Sequence, residues 1–274
     1  GWGEVNVLRS TTIIEDNQYL IDNISQGTNN SHSIAIPSGT KQLKLMVYWH
    51  DKEASANAIP ALVNDLDIQL FDASGNSAEL PWVLNHSANS VALNSNAVKG
   101  IDDINNMEQI TIDNPISGNY SLVVSGNSIP FGPQEYSVSY VFLNDEITLT
   151  YPVGGEGWVP NESEIIRWDA YGNIGNFTLE YTLDGGANWI VLSSNINGSD
   201  RQYTVSSVPN VVSEVAKVRI FRNGIFDESD ENFTIIGVPQ NIVVEWLCPD
   251  SIYVSWDAVS GATSYEVSML GNIY

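Results

Sequence analysis

Between residues 43 and 71 the chain twice alternates with a period of two. Leu43, Leu45, Val47 and Trp49 take turns with Lys44, Met46, Tyr48 and His50. Successive side chains of a strand face opposite sides of a sheet, so this spacing belongs to β-structure and not to a helix. Leu66, Ile68 and Leu70 repeat the pattern, which sends Asp65 and Asp67 to the face opposite them. Most of the remaining chain follows suit, in short alternating runs broken by Asn, Gly, Ser or Pro about every eight to twelve residues. The expectation is an all-β protein. Helical spacing is confined to 2–10, where Val5, Leu8 and Trp2 fall on one side.

The length of 274 residues leaves room for two or three domains, and 43% hydrophobic residues suffice to fill their cores. Ten Lys plus Arg against 33 Asp plus Glu give a formal charge of −23, spread along the chain. Such a surface repels phosphate backbones and anionic lipid, which argues against nucleic acid as a partner. No apolar run is long enough to span a bilayer, so membrane insertion is not expected. Cys248 is the single cysteine and excludes an internal disulfide framework. Export remains compatible with that, because calcium can brace a secreted fold in place of disulfides. Gly1-Trp2-Gly3 opens the chain directly, so any export signal is expected upstream.

Carboxylates gather around the two alternating runs. Asp51 ends the first, and Asp65 and Asp67 sit two apart on one face of the second. Bringing three carboxylates together without a cation costs repulsion, whereas hard oxygen ligands suit calcium. The pattern therefore predicts a calcium site at Asp51, Asp65 and Asp67, with a backbone carbonyl from 59–63 as a further ligand. Asp102 and Asp103 are expected to complete that shell or hold a second ion. Zinc is not expected, since Cys248 stands alone and no His pair has ligand spacing.

Residues 17–144 resemble the β-sandwich that follows the catalytic domain in one branch of the secreted subtilisin-like serine proteases. The resemblance rests on Trp49-His50-Asp51, on Leu62-Val63-Asn64-Asp65-Leu66-Asp67 and on Asn105-Asn106-Met107-Glu108-Gln109-Ile110. It continues through Pro115, Gly118, Tyr120 and the run from Asn127 to Ser137, with the matches in order along the chain. It implies a jelly roll that packs on an upstream catalytic domain of the same chain, with calcium tightening that contact. Residues 1–16 resemble the closing helix of such a catalytic domain, through Gly1-Trp2-Gly3-Glu4-Val5-Asn6.

Residues 145–237 have the size and strand spacing of an immunoglobulin-like sandwich. Within them, Thr182-Leu183-Asp184-Gly185-Gly186-Ala187-Asn188-Trp189 resembles the Asp-box hairpin of sialidases, a structural turn. It occurs once here, so neither a propeller nor sialidase activity follows. Residues 238–274 resemble the first three strands of a fibronectin type III module, with Val254–Asp257 and Gly261–Val267 as the second and third. Fewer than 40 residues cannot close such a sandwich, and the sequence is expected to be truncated at both ends.

A subtilisin-like enzyme needs Ser, His and Asp together. The family's His-Gly-Thr-His and Gly-Thr-Ser-Met strings do not occur here, and no Gly-x-Ser-x-Gly elbow replaces them. His50 and Asp51 are neighbours in one strand and point to opposite faces. The sequence thus predicts no catalytic residues, in an exported accessory region of a protease that stabilises its catalytic domain or offers a spacer to a protein or glycan surface. The alternative is a cell-surface adhesion or carbohydrate-binding array of β-sandwiches. The long 81–109 connection bears on both readings, because Trp82 there serves either as an exposed contact or as packing. Trp49, Trp168, Trp189, Trp246 and Trp256 are expected mainly in cores.

Overall fold

The computed structural model describes residues 5–248 and 251–267. The chain divides into two compact units, Gly1–Asn144 and Asp145–Tyr274. Strands make up nearly all of the regular structure. Among the described residues no helix is long and apolar enough to cross a membrane.

The first unit is a sandwich of two four-stranded sheets. One runs in the order β1 (Tyr19–Ile24), β10 (Gln134–Leu143), β3 (Gln42–Trp49), β8 (Met107–Asp113). The other runs β2 (Asn29–Ile36), β9 (Gly118–Ser128), β4 (Asp65–Phe71), β5 (Ser77–Glu79). All neighbours are antiparallel. The first four strands alternate between the sheets, and β8, β9 and β10 alternate on the way back. That double winding is a jelly roll.

The alternating side chains meet in its centre. Leu43, Leu45, Val47 and Trp49 of β3 face Leu66, Ile68 and Leu70 of β4, all within 3% of complete burial. Trp49 hides its indole at no cost in hydrogen bonding, because Nε1 donates to the carbonyl of Asn64 at 2.9 Å. Where the chain turns from β1 into β2, Gly126 of β9 comes so close that a Cβ would stand 2.5 Å from the Ser25 carbonyl oxygen. Only glycine fits there.

The 81–109 connection is folded and not a bare loop. It holds a two-stranded pairing of β6 (Trp82–Val83) with β7 (Val98–Lys99) and, between them, a single turn α2 (Ser90–Leu93). Trp82 is half-buried and donates from Nε1 to Thr111 Oγ1 at 2.7 Å. Lys99 sits 4.0 Å from the Trp82 ring centre and donates to the Thr111 carbonyl at 3.3 Å. The insertion thereby covers part of β8, the edge of its sheet, which answers the question of Trp82 in favour of packing.

The helix expected at 2–10 lies further along, as α1 (Val7–Glu15). Asn6 sets its start by accepting a hydrogen bond from the Arg9 N–H at 2.9 Å, an N-cap that the apolar spacing alone did not reveal. None of its residues is buried. Residues 1–4, including Trp2, lie outside the described residues.

The second unit pairs β11 (Ile147–Tyr151), β13 (Glu164–Ala170) and β16 (Gln202–Val205) in one sheet. Its other sheet runs β12 (Gly157–Trp158), β19 (Phe233–Ile235), β17 (Ser213–Arg222), β14 (Phe177–Thr182), β15 (Ile190–Ile196), with β18 (Ile225–Glu228) also on β17. This is an immunoglobulin-like sandwich. Trp158 against Phe233 at 4.5 Å and Trp168 against Phe177 at 5.2 Å form its aromatic centre. Trp189 is half-buried instead, with the Arg219 guanidinium 4.2 Å over its ring.

After this sandwich, β20 (Val243–Cys248) pairs with β21 (Ser251–Ser255) as a lone hairpin. The strand expected at 261–267 does not form. A strand needs a neighbour to take its N–H and C=O groups, and none lies there among the described residues. Trp246, expected in a core, is 50% exposed, since among the described residues no second sheet covers the hairpin.

Candidate metal centre

The carboxylates converge where the two sheets of the first unit meet along one edge. β4 pairs with β9 on one side, while β5 joins its other side only from Leu70 onward. Asp65 to Gln69 therefore leave one backbone edge without a strand. Glu108 of β8, in the opposite sheet, reaches across and accepts a hydrogen bond from the Ile68 N–H at 2.9 Å through Oε2. In an antiparallel ladder a residue's N–H and C=O point the same way, so the Ile68 carbonyl faces this edge as well.

Glu108 is wholly buried, and its second oxygen, Oε1, has no hydrogen-bond partner among the described residues. Two more carboxylate oxygens share that condition, Asp65 Oδ1 and Asp67 Oδ1. Asp65 accepts through Oδ2 from Asn127 Nδ2 at 3.1 Å. The groups feel one another. Burial raises the Glu108 carboxyl to about 9, and the charges of Asp67, Asp102 and Asp65 push the same way. Asp67 is pushed up to about 6, by burial first and then by Asp65, Asp103 and Asp102. Asp65 is raised by burial and by the fields of Asp103, Asp102 and Asp51, against the opposing bond from Asn127.

The five aspartates read from the sequence thus fall in one electrostatic neighbourhood but have different duties. Asp51 braces the loop before β4: Oδ1 accepts from the Lys52 and Asn64 N–H groups at 2.8 Å each, and Oδ2 from Val63 at 2.7 Å. Asp102 is buried and braces its own turn, accepting from Ile104, from Asn105 and from the Asn105 side-chain amide at 3.0, 3.2 and 2.7 Å. Asp103 beside it is exposed. Asp65 and Asp67 alone of the five hold buried oxygens with no donor. Glu108 completes the set, and it carried a sequence signal, being in phase with the apolar Ile110 and Ile112 of β8.

The donor set suits a hard cation. Three buried, unpartnered carboxylate oxygens and a strand carbonyl at one edge are oxygen ligands of the kind calcium takes. Among the described residues, no three His, Cys, Asp or Glu side chains already stand together as a metal-holding group. The arrangement is a cluster of mutually repelling carboxylates and not a closed coordination shell.

The opposite edge of this unit contains His32, 2.6 Å from the Tyr136 hydroxyl and 3.8 Å from Asp22. His50 is exposed at the rim of an open depression of about 570 Å³ with Asp51, Lys52, Glu53 and Phe131. The amides of Asn64 and Gln134 line that depression and are taken up by Phe131, His50 and Glu135.

No family model and no curated protein matches the chain. Among solved structures, it is similar to the FN1–FN3 domains of chicken CNTN1 at 15% identity, over 86% of this chain and 77% of that one, with a TM-score of 0.25. The adhesin domain of Epf from Streptococcus pyogenes matches at 10% identity, over 76% and 71%, also with a TM-score of 0.25. A DUF4785 family protein from Legionella pneumophila matches at 8% identity, over 81% and 67%, with a TM-score of 0.27. At these scores the likenesses carry no functional argument, and function rests on this chain's own residues.

Proposed function

We propose that the chain is a non-catalytic accessory region whose jelly roll is stabilised by a calcium ion held by Asp65, Asp67 and Glu108. The observation that carries this reading is the trio of buried oxygens, Asp65 Oδ1, Asp67 Oδ1 and Glu108 Oε1, with no donor to satisfy them among the described residues. A bound divalent cation offsets both the desolvation of these carboxylates and their repulsion. Asp102 and Asp103 add to the negative field that attracts it, and Asp51 fixes the loop that leads into β4. Because Glu108 belongs to one sheet and Asp65 and Asp67 to the other, the ion ties the two sheets together.

The setting proposed is an exported protein in which the jelly roll accompanies a subtilisin-like serine protease domain. That part rests on the ordered motif matches from Trp49-His50-Asp51 to Asn127–Ser137. The matching test is whether the chain binds, and raises the melting temperature of, a separately produced subtilisin-like domain bearing those same tail motifs in its own continuation. No change in that melt removes the protease setting and leaves the calcium site standing.

The calcium reading is tested by calorimetry on the whole chain. Calcium should raise the melting transition of the first unit, by about 2.7 kcal/mol at a hundredfold excess over its dissociation constant, and leave the second unit's transition in place. Asp65→Asn should abolish the dependence. An unchanged melt in calcium and in excess chelator overturns the proposal.

One observation favours a second reading, glycan binding. Trp246 and Tyr253 of the lone hairpin are each about half exposed and lie 5.7 Å apart with ring planes 3° from parallel. Flat aromatic faces of this kind stack on sugar rings. Retention on a polysaccharide column that Trp246→Ala abolishes would establish it, and no retention on any of a broad glycan panel would remove it.

A further inference from the structure

The edge of the jelly roll opposite the carboxylates is closed by a different polar group. β1 and β2 are the edge strands of the two sheets, joined through the tight corner at 25–28. Side chains on apolar-facing positions of both strands turn polar here. Asp22 lies on β1 directly across from Tyr136 of β10, and Asn30 and His32 lie on β2. Inward-pointing polar residues are one way in which edge strands avoid pairing with other chains.

The hydrogen bonds at this corner converge on the Tyr136 hydroxyl. Tyr136 is only 1% exposed and its hydroxyl touches two partners, Asn30 Nδ2 at 2.9 Å and His32 Nε2 at 2.6 Å. Asn30 Nδ2 also donates to the Asn23 carbonyl at 2.9 Å and to Asp22 Oδ2 at 3.2 Å, so it acts as a donor throughout. With the imidazole bare at Nε2, the tyrosine oxygen accepts from Asn30 and gives its single proton to His32 Nε2. Burial of the ring favours this neutral form.

We propose that the Tyr136–His32 bond is an acid-released latch that holds β2 to β10 at this corner of the sandwich. A proton arriving at Nε2 turns the acceptor into a donor, so the tyrosine hydroxyl can no longer donate to it. The protonated ring is then drawn to Asp22, whose Oδ2 lies 3.8 Å away. His32 exchanges a partner on β10 for one on β1, and the corner loosens. Asp22 from β1 and Tyr136 from β10 are the titratable groups that face the ring among its recorded contacts. Burial of the ring lowers the His32 affinity for a proton, and Asp22 opposes this more weakly. The latch is therefore shut at neutral pH and opens on acidification.

The experiment follows the imidazole by NMR and the β1 and β2 amides by hydrogen exchange, on the whole chain across the acid range. Exchange in 19–36 should accelerate about tenfold as His32 takes up its proton, the fold-change expected for the loss of one hydrogen bond of ordinary strength. His32→Gln should remove that step. Tyr136→Phe, which takes away the donor that favours the neutral ring, should move the His32 midpoint up. Should either variant fail to fold, Asp22→Asn at a half-exposed position should move the midpoint down. The latch is refuted if exchange in 19–36 shows no step at the His32 midpoint, or if that midpoint ignores both Tyr136→Phe and Asp22→Asn.

Discussion

Glu108 in the first unit and Arg222 in the second are both ionisable side chains shut inside a β-sandwich, and they are treated in opposite ways. Arg222 is 5% exposed and gives its protons to the carbonyls of Gly172 and Gly198 at 3.2 and 3.3 Å and, at 2.5 Å, to that of Tyr171. Its guanidinium lies 4.4 Å over the Phe177 ring, and Arg201 donates to two of the same carbonyls from the side. Three backbone carbonyls and a ring face thus meet the buried cation. Glu108 has one donor, Ile68, and otherwise meets other carboxylates. Burying a charge is tolerable when the surroundings complete it. The second sandwich supplies that completion from its own backbone, whereas the first requires either a proton or a cation.

The sharpest break in the comparison comes from removing the two groups. Arg222→Met should cost the second unit about 2–3 kcal/mol, read by calorimetry, because three backbone carbonyls lose the guanidinium that donates to them. Glu108→Gln should behave in the reverse sense when calcium is absent. The amide keeps an oxygen for the Ile68 N–H and brings a donor to the unpartnered edge. In chelator the variant should therefore melt above the parent at neutral pH. In saturating calcium it should melt below it, having lost a ligand. The calcium site is wrong if the order of the two melts is the same in both conditions.

The pH dependence sharpens the same point. A carboxyl raised on folding holds its proton more tightly in the folded state. Its contribution is whole below about pH 4.5, the ordinary value, and fades as pH climbs toward 9, the folded value of Glu108. The cation-free first unit should lose on the order of 3 kcal/mol between pH 4.5 and 7. Glu108→Gln should flatten most of this decline. Asp67, raised to about 6, contributes a smaller fall that is complete by then, and Asp67→Asn should remove only that part. A melt of the parent that is level from pH 4.5 to 8 in chelator contradicts the burial of an uncompensated carboxyl.

The sheets and much of this centre were legible because periodicity is a local property. Leu43 to Trp49 and Leu66 to Leu70 announced their buried face, and with it the outward turn of Asp65 and Asp67. Glu108 was legible in the same way, as a carboxylate in phase with Ile110 and Ile112, yet its meaning depends on Ile68 lying across the sandwich edge. Asp51 looked like a third ligand because it ends a strand beside the others. That its oxygens take the N–H groups of Val63 and Asn64 depends on the path of the intervening loop, which no spacing rule supplies. The same holds for Arg222. Its acceptors lie 24 to 51 residues away along the chain, and nothing near it in sequence marks it as the buried cation of its unit.

Asp184 gives the smallest expected effect and the cleanest contrast with Asp67. It sits in the tight turn between β14 and β15, where Gly185 and Gly186 take positive φ values of 71° and 98°. Its oxygens accept from the Asn188 N–H at 2.8 Å, the Asn188 amide at 2.7 Å and the Thr182 hydroxyl at 2.7 Å. These donors hold the carboxyl down at about 2, below its ordinary 3.8. A group depressed on folding contributes its stability above the ordinary value and loses it as pH falls through the folded one. Between pH 4 and 2 the second unit should therefore lose stability through Asp184, while Asp67 and Glu108 keep their protons and lose none. Asp184→Ala should lower the second transition slightly at neutral pH and make it less sensitive to acid in that window. If it does neither, the turn is held by its glycines alone, and the side chain that sets the hairpin apart in sequence contributes nothing to its stability.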